Sequence, residues 1–255
     1  MSLSFAITGK GGVGKTTVSS LIVRQFVANG MTPVLAIDAD PNSCLDAALG
    51  IKILTTVGRA REQVRQEAQA GTVTGISKQE MLQLKISESL VESSGFDLIS
   101  MGRPEGAGCY CYANNILKSI ITQISGQYPF LVLDNEAGLE NLSRRIMQQV
   151  DVLVIVSDAS NAGLQTVVRL HGLADEMEIK YKKLVIIVNR LRTGDLPGRM
   201  EEIRKATGAA LVIGLPDDLE VASFSENNRS FLGLSDDNPV VGKIDQMLKN
   251  LNSQG

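Results

Sequence analysis

The segment Gly9-Lys10-Gly11-Gly12-Val13-Gly14-Lys15-Thr16 constrains the fold of this chain more than any other. It fits the pattern G-x-x-x-x-G-K-[ST], and it follows a short apolar run and opens a helical stretch, which is the context that the pattern requires. Glycines let backbone amides turn towards phosphate oxygens, and the start of the following helix adds positive potential. The sequence therefore predicts a phosphate-binding loop for ATP rather than a glycine-rich turn of chance composition.

The side chains of this loop have distinct predicted roles. Lys15 can reach the β- and γ-phosphates of ATP, and Thr16 can ligate Mg²⁺. The remaining predicted contacts to the nucleotide come from the loop and the first turn of the helix, at Gly9, Gly11, Gly12, Val13, Gly14 and Thr17.

Short β-branched apolar runs alternate with helical stretches along the whole chain. Several runs are apolar almost without interruption, as expected for strands that are covered on both faces. This alternation predicts an α/β fold with a doubly wound, mostly parallel sheet and helices on both faces. We expect one domain over residues 1–255, with a mostly helical insertion around 46–96. The predicted strands are Leu3–Ile7, Val34–Ile37, Leu98–Met101, Phe130–Leu133, Val152–Val156, Leu184–Val188 and Leu211–Ile213.

Composition narrows the classes of partner and compartment. A net charge of −3 gives no general electrostatic reason to bind nucleic acid or an acidic membrane, although a local basic patch is compatible with it. Three cysteines do not make a disulfide framework, so the cytoplasm is the expected location. No apolar run approaches the length of a membrane span. The segment Leu248–Gly255 is too polar and short for a membrane anchor, and we expect it to fray.

Lys10 distinguishes this loop from an ordinary phosphate-binding loop. The form K-G-G-x-G-K-T resembles the deviant loop of the family that includes MinD, ParA, nitrogenase iron protein and the CooC nickel-insertion ATPases. The resemblance implies that ATP brings two copies of the chain together, with Lys10 reaching the nucleotide of the partner and stabilising charge that develops on phosphate. The alternative for Lys10 is a solvated loop lysine.

Two aspartates follow predicted strands at the sheet edge where open α/β folds bind ligands. By the same resemblance, Asp40 in Asp38-Ala39-Asp40-Pro41-Asn42 positions the attacking water. Asp134 in the D-x-x-A-G segment holds Mg²⁺, through a water, and Gly138 lets that segment rearrange when the γ-phosphate is lost. Asp40 beside Pro41 also fits an ordinary turn.

Two later positions are implied to contact the base. Asn189 follows the run Leu184–Val188 and matches the family asparagine that reads adenine, and Pro216 lies in the matching later loop. Asparagine and proline are also common loop residues, so the alternative is that neither residue contacts the base.

A pair of thiols at C-x-C spacing, Cys109 and Cys111, offers a soft-metal site. Two thiolates leave a tetrahedral ion unsatisfied, whereas a two-fold dimer supplies four. The pair therefore fits Zn²⁺, Ni²⁺ or an iron–sulfur cluster between two subunits. The alternative is two unrelated thiols beside packing tyrosines.

The segment around these cysteines, G-R-P-E-G-x-G-C-Y-C-Y, resembles the CooC-type maturation ATPases of nickel carbon monoxide dehydrogenase. That resemblance implies ATP-dependent nickel insertion, with carbon monoxide dehydrogenase as the client and acetyl-CoA synthase as a related one. Three other functions stay open: a MinD- or ParA-like spatial organiser, a redox carrier like nitrogenase iron protein, and a scaffold for iron–sulfur clusters.

Three further positions have ordinary structural interpretations. We expect Cys44 to be a small buried residue at a helix start. His171 is expected to pack on or near the surface of a helix, and Arg144-Arg145 to lie on a solvated helix face.

Overall fold

The structure is a computed structural model that describes residues 2–42, 44–70, 78–103, 118–119, 121–122, 124–139, 149–193 and 195–252. Within these residues, eight strands form one sheet in the order β3-β4-β2-β5-β1-β6-β7-β8. All neighbouring pairs are parallel except β3 and β4. The strands are β1 (Leu3–Gly9), β2 (Val34–Asp38), β3 (Leu90–Glu92), β4 (Phe96–Ser100), β5 (Phe130–Asp134), β6 (Gln149–Asp158), β7 (Lys180–Leu191) and β8 (Leu211–Pro216).

Helices cover both faces of this sheet. They are α1 (Lys15–Ala28), α2 (Leu45–Leu49), α3 (Val57–Gln69), α4 (Lys78–Ser87), α5 (Asn161–Glu176), α6 (Met200–Thr207), α7 (Leu219–Glu226) and α8 (Pro239–Asn252). The doubly wound, mostly parallel fold predicted from the sequence is confirmed.

Two hydrophobic clusters, one on each face, hold the layers together. Successive residues of β1 point to opposite faces, so Phe5 and Ile7 pack with α1 and α8 while Ala6 packs with α3, α5 and α6. The central strands are buried on both sides, which explains why their sequences are apolar without alternation.

Helix α1 is tied to the C-terminal part of the chain by a buried cation. Arg24 donates from Nη2 to the carbonyl oxygen of Leu234 and to a carboxylate oxygen of Asp236, each at 2.6 Å. Because the guanidinium is almost fully buried, these hydrogen bonds compensate part of its lost hydration.

Every predicted strand overlaps an observed one, and the differences lie elsewhere. The antiparallel edge strand β3 was not predicted, because three residues are too few for a periodic signal. The sequence pattern also predicts a helix over Leu196–Thr207, but the helix begins only at Met200, after Pro197 and Gly198.

The C-terminal end was predicted wrongly. The sequence predicted fraying from Leu248, but α8 continues to Asn252, and Met247, Leu248 and Leu251 are buried against the sheet. Their spacing of one and four residues places them on one face of the helix, and this burial holds the last turns in place.

Within residues 46–96, where a helical insertion was predicted, the chain forms α3, α4 and β3 and most of α2. Whether this segment is an insertion in a single domain stays a prediction. No helix in the described part of the chain is long and apolar enough to cross a membrane.

Candidate active site

The phosphate-binding loop joins the end of β1 to the start of α1. Gly14 is the N-cap residue of α1 and adopts the left-handed conformation, with φ of 94°. Gly14 has no side chain with which to cap this helix, whereas the N-cap side chains of α3, α5 and α7 do accept such a hydrogen bond. The amides of the first turn of α1 are therefore available for an anion, which fits a phosphate group.

At two positions of the loop, neighbouring atoms leave no room for a side chain larger than that of glycine. A Cβ atom at Gly9 would lie 2.2 Å from the carbonyl oxygen of Val156 on the neighbouring strand β6. A Cβ atom at Gly14 would lie 2.4 Å from Nδ2 of Asn189. Larger residues at either position would displace the loop from the sheet edge.

The two lysines of the loop differ in environment. Lys15 is 8% exposed, and its Nζ lies 3.4 Å from the carbonyl oxygen of Lys10. The side chain therefore folds back over the loop, where a phosphate group would lie. Lys10 is exposed to solvent, so its side chain is available to a group outside the chain.

Asp134 lies at the end of β5, beneath the first turn of α1. Its two carboxylate oxygens accept hydrogen bonds from Thr16 Oγ1 at 2.7 Å and from Ser19 Oγ at 2.9 Å. Burial raises the pKa of Asp134 to about 6, against the opposing effect of these hydrogen bonds and of Lys15. Ser19 was not among the predicted site residues, and its position one turn after Thr16 is the signal that could have found it.

Asp38 lies beside Asp134 on the neighbouring strand, where the two residues are paired in register. Burial and the negative charge of Asp134 raise the pKa of Asp38 well above its ordinary value. Its carboxylate accepts hydrogen bonds from the amides of Asp40 at 3.1 Å and Leu45 at 3.0 Å. The sequence analysis assigned no role to Asp38, because nothing in a single strand end reveals which strand will lie next to it.

Asp40 is more exposed than either of these carboxylates, and it accepts a hydrogen bond from the amide of Asn42 at 2.8 Å. Carboxylate and hydroxyl oxygens of Thr16, Asp38, Asp40 and Asp134 thus belong to adjoining segments at one sheet edge. Hard oxygen donors of this kind are what Mg²⁺ prefers, with water completing its octahedron.

The segment after Asp134 is hydrogen-bonded to β1 and the phosphate-binding loop. Asn135 donates to the carbonyl oxygen of Ile7 from its backbone amide at 3.1 Å and from Nδ2 at 2.9 Å. Gly138, with φ of 89°, donates its amide to the carbonyl oxygen of Gly9 at 3.1 Å, and Thr8 Oγ1 donates to the carbonyl oxygen of Gly138. This segment would sense a change in the loop directly.

Asn189 and Pro216 line one cavity of about 340 Å³ beside α1. Asn189 also donates from Nδ2 to the carbonyl oxygen of Val13 at 2.8 Å, so it contacts the loop as well as lining the cavity. The structure therefore brings together the two residues that were expected to contact a base. The other lining residues are Thr17, Val18, Leu21, Arg190, Leu215, Asp217, Asp218, Val221, Ala222, Ser225, Glu226 and Val240.

Two charged residues near the loop were missed by the sequence analysis. Arg190 adopts a left-handed conformation, with φ of 56°, and Nη1 lies 3.3 Å from the carbonyl oxygen of Gly12. Asp158 ends β6, and a hydrogen bond with Ser160, together with the charges of Lys10 and Arg190, lowers its pKa. Its place at the carboxyl end of a strand was the available signal.

The predicted metal-binding residues Cys109 and Cys111 lie outside the residues that the structure describes, as do Arg144 and Arg145. Among the residues it does describe, no group of three or more His, Cys, Asp or Glu side chains is arranged to hold a metal ion.

The expectation that Cys44 is buried was wrong, because it is exposed at the start of α2. His171 lies on α5, with Nδ1 3.7 Å from a carboxylate oxygen of Asp175.

Comparison with known proteins identifies the family. Residues 4–187 match the family AAA_31, described as an AAA domain. The chain belongs to this family. This AAA_31 chain is 37% identical over 247 residues to an uncharacterized ATP-binding protein of Methanocaldococcus jannaschii, with 96% of the chain and 97% of that protein covered. It is therefore a P-loop ATPase, as the loop geometry indicates.

Other relatives of the AAA_31 chain have more specific names. It is 30% identical over 190 residues to the carbon monoxide dehydrogenase accessory protein CooC of Rhodospirillum rubrum, covering 70% of the chain and 71% of CooC. A structure of the MinD cell division protein of Aquifex aeolicus matches with a TM-score of 0.70 and 22% identity, over 100% of this chain and 98% of that one. MinD of Pyrococcus horikoshii, complexed with Mg-ADP, matches with a TM-score of 0.70 at 16% identity, over 100% and 97% of the two chains. These two structural matches support the fold alone.

Proposed function

We propose that this ATPase is a dimeric metallochaperone that inserts nickel into carbon monoxide dehydrogenase, with acetyl-CoA synthase as a second possible client. The observation that carries the proposal is the Cys109-Tyr110-Cys111 segment in a chain that is 30% identical to CooC. A phosphate-binding loop supplies a switch driven by ATP, and the cysteines supply a donor set for its cargo.

In this proposal, the described residues divide the work of binding and hydrolysing ATP. The free amides of the first turn of α1 and the Lys15 ammonium hold the phosphates. Thr16 would ligate Mg²⁺ and Asp134 would hold it through water, and Asp134 is positioned by the hydrogen bonds that it accepts from the Thr16 and Ser19 hydroxyls. When bound, Mg²⁺ neutralises charge on the phosphate oxygens. Asn189, Pro216 and the cavity beside them take the nucleoside.

Asp40 has the remaining role in the hydrolysis step. Its carboxylate is exposed enough to accept a hydrogen bond from water, whereas Asp38 and Asp134 are buried. We assign Asp40 to orient the attacking water, and Asp38 to hold the Asp40 segment through its hydrogen bond to the Asp40 amide.

Lys10 is assigned to the interface between two copies of the chain. Its exposed ammonium leaves it free to reach the phosphates of a partner, where it would stabilise the charge that develops during hydrolysis. Closure of the dimer would bring two copies of Cys109 and Cys111 together into a site of four thiolates for Ni²⁺ or Zn²⁺.

Metal content and mass of the purified protein test this proposal. Anaerobically purified wild type and a Cys109→Ala/Cys111→Ala variant are compared with and without ATP and Ni²⁺. We expect about one soft metal ion per dimer in the wild type and none in the variant, because four thiolates satisfy a tetrahedral ion. Equal metal content in the two proteins would show that the cysteines are not the site and would leave an ATPase of another cargo.

A spatial-organising ATPase is the second candidate, because the K-G-G-x-G-K-T form of the phosphate-binding loop also resembles that of MinD and ParA. It predicts that the ATP-bound form collects on vesicles of acidic lipid or on DNA. Sedimentation with each, in the presence of a non-hydrolysable ATP analogue, separates this function from metal delivery. The apolar side chains Met247, Leu248 and Leu251 of α8 are already buried in the core, which disfavours α8 as a lipid-binding helix.

An iron–sulfur carrier or scaffold is distinguished by its spectrum. A [4Fe–4S] cluster held by the same cysteines would give a brown protein with visible absorbance after anaerobic purification. Such a spectrum, lost in the double cysteine variant, would replace nickel delivery with cluster transfer.

A further inference from the structure

A nearly apolar groove lies between α5 and α6, away from the residues assigned to the nucleotide. Its volume is about 360 Å³. Leu164 and Ile203 are buried at its floor, and Val168 lies beside them with 43% of its surface exposed. A valine exposed to this extent beside a floor of buried side chains is a place where further apolar surface could be buried.

Two arginines border this groove. Arg169 on α5 and Arg199 at the start of α6 are both exposed, and both line the cavity. In the part of the chain that the structure describes, neither guanidinium makes an ion pair or a side-chain hydrogen bond. Both therefore retain their full capacity to bind carboxylates, for which the planar guanidinium is suited.

Two acidic residues on the same helices, Asp175 and Glu201, have basic side chains of their own nearby. Asp175 lies 3.7 Å from His171, and Glu201 lies 3.8 Å from Lys205 and 3.9 Å from Arg204. The groove lining itself contains no carboxylate. A positive border on a chain with a net charge of −3 is thus a local feature that opposes the overall charge.

We propose that the groove between α5 and α6 binds an amphipathic helix of a partner protein. Leucine-like side chains of that helix would contact Leu164, Val168 and Ile203. Its acidic side chains would form ion pairs with Arg169 and Arg199. The spacing of the groove-lining residues on α5 supports a helical ligand, because Leu164, Gln165, Val168 and Arg169 form one stripe along that helix. A second helix laid against this stripe would place residues i, i+3, i+4 and i+7 in the groove. The proposal does not depend on the metal that the ATPase carries.

A synthetic peptide tests the groove directly. The probe is a fluorescein-labelled helix of about 18 residues, long enough to form on contact, with leucines along one face and glutamates at its borders. One control peptide has the same composition in an order without an apolar face, and a second has every glutamate replaced by lysine. Fluorescence anisotropy with the full chain measures affinity. We expect the probe to bind at least about ten-fold more tightly than either control, because each control lacks one of the two matching features.

Variants of the chain locate the binding site. Arg169→Glu/Arg199→Glu reverses the border charges at exposed positions and should weaken probe binding by about ten-fold or more. Lys52→Glu/Lys180→Glu makes the same change in charge at exposed lysines outside the groove and should leave binding unchanged. Val168→Asp, which alters the apolar surface without touching the arginines, should also weaken it. Circular dichroism and ATPase rates confirm that each variant is folded.

Several results would overturn the proposal. Binding equal to that of either control peptide would remove the selectivity on which it rests. Binding that is undiminished in both Arg169→Glu/Arg199→Glu and Val168→Asp would place the site elsewhere. Self-association of the wild type that Val168→Asp abolishes would show that a second copy of the chain covers the groove.

Discussion

The side-chain amide of Asn189 donates a hydrogen bond to the carbonyl oxygen of Val13 at 2.8 Å, which joins the end of β7 to the phosphate-binding loop. The same side chain lies against Gly14, where no Cβ could be accommodated. One residue therefore shapes the loop from outside and also lines the cavity beside α1.

Replacing Asn189 should weaken nucleotide binding through the loop and the cavity together. Asn189→Ala removes the hydrogen bond to Val13, and we expect a loss of about 1 kcal/mol or more, which is roughly five-fold to ten-fold in the affinity for ATP. Asn189→Asp should cost more, because a carboxylate would face the Val13 carbonyl oxygen. Titration calorimetry measures both, with Arg192→Ala as the control at the exposed position immediately after β7. An unchanged affinity in Asn189→Asp would contradict the assignment.

The two lysines of the loop should separate binding from dimer closure. Lys15→Ala removes the buried ammonium and should reduce the affinity for ATP by roughly ten-fold to one hundred-fold, as expected for hydrogen bonds to a charged group. Lys10→Ala should spare binding and impair the ATP-driven dimer and hydrolysis.

Light scattering with a non-hydrolysable analogue measures closure, and phosphate release measures turnover. Lys52→Ala provides a matched control at an exposed lysine. Normal rates of ATP hydrolysis in both loop variants would contradict the proposed mechanism.

Asp134 should make the metal-free protein less stable as the pH rises. Its pKa is raised from 3.8 to about 6 by burial, so the folded state binds more protons than the unfolded state between these values. The free energy of unfolding therefore falls as the pH rises through this window. The total decrease is about 3 kcal/mol, and it is complete above the raised pKa. Asp134→Asn should be more stable than the wild type near about pH 7.5 in EDTA, and the difference should vanish towards about pH 4.

Asp151 provides a control with the opposite sign. Burial would raise its pKa, but hydrogen bonds from Lys182 and Ser4 outweigh that effect and lower it. Its contribution to stability is present above the ordinary pKa and is lost as the pH falls through the lowered one. Asp151→Asn should therefore be destabilised at neutral pH, with a difference that shrinks in acid. The same trend in both variants, measured by urea unfolding, would show that Asp134 is not strained by burial.

The last turns of α8 should contribute to global stability. Leu248→Ala should lower the free energy of unfolding by about 2 to 5 kcal/mol, because it opens a cavity at a side chain that is 3% exposed. Lys249→Ala, in the same turn, removes an exposed ion pair with Asp245 and should cost no more than about 1 kcal/mol. Equal, small losses in both variants would mean that the end of the chain frays as its polarity suggested.

The sequence predicted the parts of the site that depend on local order. The loop from Gly9 to Thr16 and the strand ends at Asp40, Asp134 and Asn189 could be found because each motif is contiguous and follows an apolar run. The residues that were missed depend on neighbours in space. Burial raises the pKa of Asp38, and the charge of Asp134 raises it further because β2 pairs with β5. The pKa of Asp158 is lowered by its hydrogen bond with Ser160 and by the charges of Lys10 and Arg190.

The same distinction explains the errors in the fold. Strands were found because burial on both faces leaves a continuous apolar run, which a single segment displays. The end of α8 was misjudged because its polar residues outnumber its apolar ones, and only the structure shows that the face shared by the few apolar ones is buried against the sheet. Cys44 was expected inside because cysteines usually are, yet its place at the exposed start of α2 is set by the turn after Asp40.

The buried Arg24 bridge has a mechanical consequence. Because the guanidinium fastens α1 to Leu234 and Asp236, the helix that begins at Lys15 cannot slide along its axis without breaking these two hydrogen bonds. The start of α1, which faces the phosphates, is therefore fixed relative to Leu234 and Asp236. We expect the displacement that follows loss of the γ-phosphate to fall on the two segments after Asp38 and Asp134, of which the second is joined to β1 and the loop through Asn135 and Gly138.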